Sequence, residues 1–296
     1  MSRETTDEQI KASERKRARL TLIFPGPEKE INIFIHGYSA VTSRSKFEKL
    51  SSHILSAKPP GQIYLLCWRA GSWKTPAWAQ TLLTISRTTY RAVKIGEIFS
   101  PAAFVADAAV LTASEMILYR YYENRSEKLG DNLKDYIRMI PQAKNYKINL
   151  IGHSLGARVI HYALSLHEWS DYHINDCIFL GGAADADKDN WEECLSRING
   201  NIYNAYSKRD LILKVIPDMK KRVGRHPIQC SSSRIINRNY PSFHHLDYWP
   251  RLGYILPHLW KNFRPSPYID LVHGYPAPRK LLLDRTAIPE WQQEKI

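Results

Sequence analysis

One stretch constrains this chain more than any other: Ile148-Asn149-Leu150-Ile151-Gly152-His153-Ser154-Leu155-Gly156-Ala157-Arg158. A mostly apolar run closes on a glycine, and a serine stands between two glycines at G-x-S-x-G spacing. A helix-like run over 159–167 follows. That order describes a nucleophile elbow, a sharp strand-to-helix turn that lifts a serine hydroxyl above the end of a parallel sheet. The glycines have a steric task, because a Cβ at Gly152 or Gly156 would run into the neighbouring strand and helix. The turn also leaves the N–H of Leu155 at a helix N-terminus, aimed where an oxyanion would form. The competing reading is an ordinary strand-to-helix turn in which Ser154 caps the helix.

The flanking chain fits a parallel sheet. Residues 19–25 are a short strand candidate, and 30–36 and 63–68 are apolar almost throughout, as buried parallel strands are. Between them Phe47, Leu50, Ile54 and Leu55 recur at roughly helical spacing over 45–56. After the elbow, 174–181, 202–206 and 234–236 read as strands. Residues 190–198, a run starting at Leu211, and 248–263 read as helices, the last interrupted by Pro250 and Pro257. The alternation predicts an α/β fold, a mostly parallel sheet with helices on both faces.

Between 76 and 140 no strand is evident, and helix-like runs cover 77–98, 102–122 and 124–140. A crossover needs only about a dozen residues, so this segment holds a helical insertion before the nucleophile strand. It reads as a lid or lipid-facing wall, or as extra helices packed on the sheet. Residues 1–18 read as a charged arm, 19–263 as the domain, and 264–296 as an irregular Pro-rich tail.

The formal net charge of +13 raises the question of an anionic partner. Lys and Arg are spread along the chain with short clusters at 11–19 and 220–225, and no zinc-finger, helix-turn-helix or RNA-binding signature is present. No nucleic-acid partner is expected. Peripheral contact with an anionic membrane surface fits better. The N-terminus has no apolar signal region, and Asp107 and Glu115 interrupt the most membrane-like run, 101–119. A cytoplasmic location is therefore expected, with export by a signal-independent route left open. Cys67, Cys177, Cys194 and Cys230 lack C-x-x-C spacing, and Cys67 and Cys177 sit in apolar runs, as in a reducing compartment. There is no H-E-x-x-H, Walker loop or G-x-G-x-x-G after a strand, so neither metal nor cofactor is expected.

A serine nucleophile needs a base, an orienting acid and an oxyanion hole, all from loops beyond the carboxyl ends of strands. His36-Gly37-Tyr38 ends a strand candidate, and the Tyr38 N–H is the choice for a second oxyanion donor beside Leu155, with Gly37 allowing close approach. Asp210, four residues beyond Tyr206, is the preferred acid. It could instead cap the helix starting at Leu211, and Asp185 is the runner-up. The order Ser…Asp…His requires a later histidine, and His244 and His245 lie in a loop after the last strand candidate.

The segments IHGYS, INLIGHSLGAR, FLGGAA, NAYSKRD and HHLDYW together resemble the α/β-hydrolase superfamily. They are most similar to the transmembrane-and-coiled-coil-domain hydrolases, serine hydrolases of lipase-like type. The resemblance covers roughly 30–262 and is sharpest at 148–158 and 201–213. It implies the α/β-hydrolase fold, with Ser154 as nucleophile and Asp210 as acid in N-x-Y-S-x-x-D. His245 would be the base in an H-x-x-Y segment with Tyr248, with His244 where that family tends to have glycine. The family's eukaryotic members carry membrane spans, which have no counterpart in these residues. The expected activity is hydrolysis of carboxylic esters, of lipid-like esters where the apolar insertion guides substrate choice. An acyltransferase, thioesterase or amidase would use the same triad, and a non-catalytic binding module could occupy the same scaffold.

Overall fold

The computed structural model describes residues 18–38, 41, 43–68, 70, 113–186, 191–214 and 220–273. Among the described residues, seven strands form one sheet: β1 (Ala18–Pro25), β2 (Glu30–Ile35), β3 (Gln62–Trp68), β4 (Lys147–His153), β5 (His173–Leu180), β6 (Ile202–Tyr206) and β7 (Ile235–Asn239). Their spatial order is β1-β3-β2-β4-β5-β6-β7. Of these strands, β1 runs antiparallel to its neighbour β3, and the other pairings are parallel. This is the α/β-hydrolase fold.

Alternate strand residues supply two cores. Ile31, Ile33, Ile35, Ile148 and Leu150 pack with α4 (Leu155–Leu166), which contributes Val159, Ile160, Ala163 and Leu164. Phe34, Leu65, Ile151, Ile178 and Leu180 face the other way. They meet α1 (Arg44–Ser56) through Phe47, Leu50 and Ile54, and α7 (Leu252–Leu259) through Leu252, Ile255 and Leu256. Strands buried on both faces cannot alternate polar and apolar residues, which is why they read as continuous apolar runs. Buried polar residues on β2 and β4 meet across the sheet: Asn149 Nδ2 donates to Asn32 Oδ1 (3.0 Å) and Glu30 Oε1 (2.6 Å).

The register places the site. Ile35 pairs with Gly152, His153 with Leu180, and Leu180 with Ala205. The carboxyl ends of β2, β4, β5 and β6 therefore lie along one edge, where ligands bind in open α/β sheets.

Three sequence expectations change. The helix expected over 124–140 is the end of α2 (Ala113–Asp131) followed by α3 (Leu133–Arg138). The break falls at Asn132, whose Nδ2 folds back to the Lys128 carbonyl at 2.7 Å. The strand expected over 234–236 extends to Asn239 as β7. Its polar Asn237 is held from both sides, Oδ1 accepting from the Ile228 N–H (2.8 Å) and from Asn204 Nδ2 (3.0 Å). Beyond Arg264 the chain is not irregular at first: α8 (Tyr268–His273) forms, with Ser266 and Ile269 buried and Lys58 paired to Asp270. Packing thus runs past 263, the expected domain end. Residues 1–17 of the arm expected over 1–18, residues 76–112 of the insertion expected over 76–140, and the tail beyond 273 lie outside the described residues. Among the described residues, no helix is long and apolar enough to cross a membrane.

Two further helices among the described residues are short: α5 (Trp191–Ser196) follows β5, and α6 (Leu211–Lys214) follows β6.

Candidate active site

Ser154 joins β4 to α4 with φ 56° and ψ −120°, a left-handed conformation that a residue with a side chain adopts only under constraint. The constraints are visible on every side. The Ser154 N–H donates to the Leu180 carbonyl (3.1 Å), while its own carbonyl accepts from the N–H groups of Ala157 (3.1 Å) and Ala183 (2.9 Å). A Cβ on Gly156 would overlap the Ile35 carbonyl, one on Gly152 would come within 2.6 Å of the Gly156 backbone, and one on Gly37 would lie 2.5 Å from Ser154 Cβ. The elbow is thus a crossing of β2, β4 and α4 too tight for side chains. Ser154 makes no side-chain cap hydrogen bond to the helix it precedes, so the capping alternative does not describe its hydroxyl.

The hydroxyl instead meets His245, with Ser154 Oγ 2.9 Å from Nε2. The other ring nitrogen, Nδ1, lies 2.6 Å from Asp210 Oδ2. A carboxylate accepts only, so Nδ1 carries the proton and Nε2 presents its lone pair to the serine O–H. Asp210 is fully buried, and its second oxygen, Oδ1, accepts from the Leu213 N–H at 3.0 Å. Asp210 therefore does both things that were set against each other: it caps the short α6 and holds the imidazole.

The other sequence candidates fall elsewhere. His244 is half-buried, and its backbone N–H donates to Asp247 Oδ2 (2.7 Å); His245, not His244, reaches Ser154. Asp185 forms an isolated backbone bridge with Arg222, its carboxylate 3.8 Å from Lys220 Nζ, while Asp210 occupies the place at His245. Leu155 is the first residue of α4, so its N–H has no intrahelical acceptor. Gly37 abuts Ser154, which puts the Tyr38 peptide at the same edge. The Tyr38 ring packs edge-on against Tyr122 of α2 at 5.1 Å, and burial, then Tyr122, pushes its phenol up to about 12.

Several supporting residues were not singled out from sequence. Ser207 Oγ donates to the Phe243 carbonyl (2.7 Å), tying the exit of β6 to the histidine loop. His153 Nε2 donates to the His245 carbonyl (2.9 Å), and its ring lies 4.8 Å from that of His245. His36 Nδ1 donates to the Gly37 carbonyl (2.8 Å), and its Nε2 accepts the Trp68 N–H (3.2 Å), fixing the turn beside Ser154. Burial holds the His36 imidazole down to about 4 and that of His153 well below its usual range, so both are neutral. Their only sequence signal was position: each closes a strand that ends at the site.

Behind the elbow lies a buried charge cluster. Arg222 donates through Nη1 to the Ala183 carbonyl (2.6 Å) and through Nη2 to Glu123 Oε1 (2.9 Å). Arg158 Nη1 lies 3.5 Å from the same Glu123 oxygen, and its Nη2 meets Glu127. Burial works against the Glu123 charge, but Arg158 and Arg222 outweigh it and hold the carboxyl below its usual value. Among the described residues, no group of three or more His, Cys, Asp or Glu is arranged to hold a metal ion.

A family profile described as "protein of unknown function (DUF726)" matches residues 10–261. An uncharacterized membrane protein of Caenorhabditis elegans is 31% identical over 144 residues, 45% of this chain and 23% of that protein. The transmembrane and coiled-coil domain-containing protein STS1 of Oryza sativa is 32% identical over 119 residues, 38% of this chain and 18% of that protein. The chain thus matches less than a quarter of the length of these curated relatives. Among solved structures, a predicted CIB-like hydrolase from Thermoplasma acidophilum aligns with a TM-score of 0.41 and 11% identity, over 88% of this chain and 93% of that one.

Proposed function

The chain belongs to that family of unknown function, and we propose that it is a serine hydrolase of carboxylic esters. One observation carries the reading: the unbroken hydrogen-bond chain from Asp210 through His245 to the hydroxyl of a positive-φ serine. In the cycle, Ser154 Oγ attacks the ester carbonyl carbon while His245 Nε2 takes its proton. The N–H groups of Leu155 and Tyr38 stabilise the oxyanion. Asp210 keeps the imidazole in the right tautomer and stabilises its charged form. The C–O bond breaks, the alcohol leaves with the proton from His245, and an acyl-Ser154 remains. Water, deprotonated by His245, attacks the acyl carbon, and the carboxylic acid departs as Ser154 regains its proton.

Lipid-like esters are the preferred substrates in this reading. The support is the apolar composition of the insertion over 76–122, together with the lipase-like hydrolases the motifs resemble.

Fluorophosphonate labelling tests the activity. Wild type labels covalently, Ser154→Ala does not label at all, and His245→Ala labels slower by orders of magnitude. Folded wild type that resists the probe defeats the reading. Matched esters, thioesters and amides of several chain lengths then test the substrate class; activity confined to short-chain esters defeats its lipid part.

A further inference from the structure

Among the described residues, the segments that follow β5 and β6 at the Ser154 edge are stitched together by 220–225. Residues 220–225 fold back on the segment after β5, with the Val223 N–H on the Ala184 carbonyl (2.9 Å), Gly224 on Gly182 (2.8 Å) and Ala186 on Lys221 (2.6 Å). They reach the segment after β6 through the Ser207 N–H on the Gly224 carbonyl (2.9 Å) and Arg225 Nη2 on the Lys208 carbonyl (3.0 Å). This brings Lys208, Arg209, Lys220 and Lys221, all exposed, to the rim of the site, with Arg225 half-buried between them. The stretch 207–226 holds seven Lys or Arg against two Asp, and one of those, Asp210, is buried and spent on His245 and Leu213. Several cations on the helices sit beside acids, as in Arg44–Glu48, Lys134–Asp171, Arg138–Asp135 and Arg197–Glu193. At the rim, Lys208 and Arg209 have no ion pair among the described residues. Directly after the base His245 in the chain, Leu246 presents an apolar side chain that is 49% exposed.

We propose that this rim docks the protein on a bilayer with anionic headgroups. Basic side chains gather at a negative surface and fall off within a Debye length, and an exposed leucine gains by entering the acyl boundary. The geometry puts the Ser154 edge, rather than another face, against the lipid, so an ester carbonyl near the headgroups lies beside the site. A nucleic-acid track would set aromatic stacking side chains among the cations; here the exposed apolar neighbour is aliphatic. Its consequence for turnover rests on the ester-hydrolase reading, while the binding itself does not.

The test is sedimentation of the full chain with vesicles of phosphatidylcholine alone or mixed with phosphatidylserine, alongside fluorophosphonate labelling without vesicles. The protein is expected to bind only the phosphatidylserine vesicles and to leave them in high salt. Each basic residue at such a surface raises partitioning roughly fivefold. The variant with Lys208→Gln, Arg209→Gln, Lys220→Gln and Lys221→Gln should therefore bind about 10²- to 10³-fold more weakly, yet label like wild type. A control removes equal charge far from the rim, with Lys29→Gln, Arg138→Gln, Lys144→Gln and Lys147→Gln, and should retain most binding. Equal loss in the control overturns the proposal, because net charge alone would then explain the attraction. Binding to neutral vesicles as well, or to duplex DNA and not to vesicles, also overturns it. Vesicle binding by wild type that does not label leaves docking intact and removes the hydrolase reading; labelling without vesicle binding does the reverse.

Discussion

Asp210 meets two demands with its two carboxylate oxygens, one on the Leu213 N–H and one on His245 Nδ1. Substitution separates them. Asn at 210 keeps an oxygen that can serve the cap, but its amide cannot accept from Nδ1 with the same strength, and it favours the ring tautomer with Nε2 protonated. That tautomer cannot take the serine proton. Asp210→Asn should lose about 10⁴ in kcat on an activated ester with little change in melting temperature. Asp210→Ala should lose the cap as well, a further ~1 kcal/mol by urea denaturation. A full melting-temperature collapse in Asp210→Asn would contradict this division of labour. Gly37→Ala is the matching steric test: the new Cβ would sit 2.5 Å from Ser154 Cβ, so the elbow must shift and probe labelling should fall sharply. These residues were legible in the sequence because a strained turn demands glycine and because one chain order suits one mechanism. His244 and His245 could be divided by the resemblance but not by spacing alone, since a loop aims neighbouring side chains apart. His36 and His153 were legible only as the residues that close two strands, not in what they hold. Their partners, Trp68, Gly37 and the His245 carbonyl, are brought to them by the fold.

Among the elements, the parallel strands were readable because burial on both faces leaves a continuous apolar run. What escaped was decided by side chains reaching across the chain. Asn132 ends α2 by bonding back to Lys128, Asn237 lengthens β7 through Asn204 and Ile228, and the start of the tail becomes α8 because Ser266 bonds to Glu28 and the Lys58 carbonyl while Ile269 joins the second core. The largest such effect is the attachment of α2 to the elbow. Gly130 lets α2 approach α4 closely, since a Cβ there would lie 2.7 Å from the Val159 carbonyl. Glu123 then meets Arg158 of α4 and Arg222, which also holds the carbonyl of Ala183, the residue whose N–H supports Ser154. Replacing Arg222 with Met leaves Glu123 buried with one cation fewer and the Ala183 carbonyl without its donor. Arg222→Met should cost about 3 kcal/mol in urea denaturation and should slow labelling of Ser154. A loss under ~0.5 kcal/mol would show that α2 is held by apolar packing alone.

For the whole molecule, charge and burial act together under acid. The chain carries a formal +13 when its histidines are neutral, so every histidine that protonates adds to an existing self-repulsion. Three buried histidines are held down by their surroundings, His36 and His161 to about 4 and His153 well below its usual value; burial is the main cause in each. The Arg158 guanidinium adds to it at His161, and proximity to the His245 ring adds to it at His153. In the unfolded chain each imidazole takes up a proton near its usual 6.5, whereas in the folded chain it does not. The folded state therefore binds fewer protons below 6.5. The contribution of each histidine is complete above that pH and is lost as pH falls toward 4. For His36 or His161 the loss is about 3 kcal/mol apiece, at ~1.4 kcal/mol per unit of pKa difference. Unfolding should thus become steeply easier between pH 6.5 and 4, ahead of general carboxylate titration. His161 isolates the effect, since its ring packs against Trp191 at 4.4 Å and its Nε2 finds no partner among the described residues. His161→Phe should keep the packing, match wild type or exceed it at pH 7, and hold about 3 kcal/mol more stability than wild type at pH 4. Urea denaturation of the two proteins at both pH values measures it, and parallel acid profiles would refute the account.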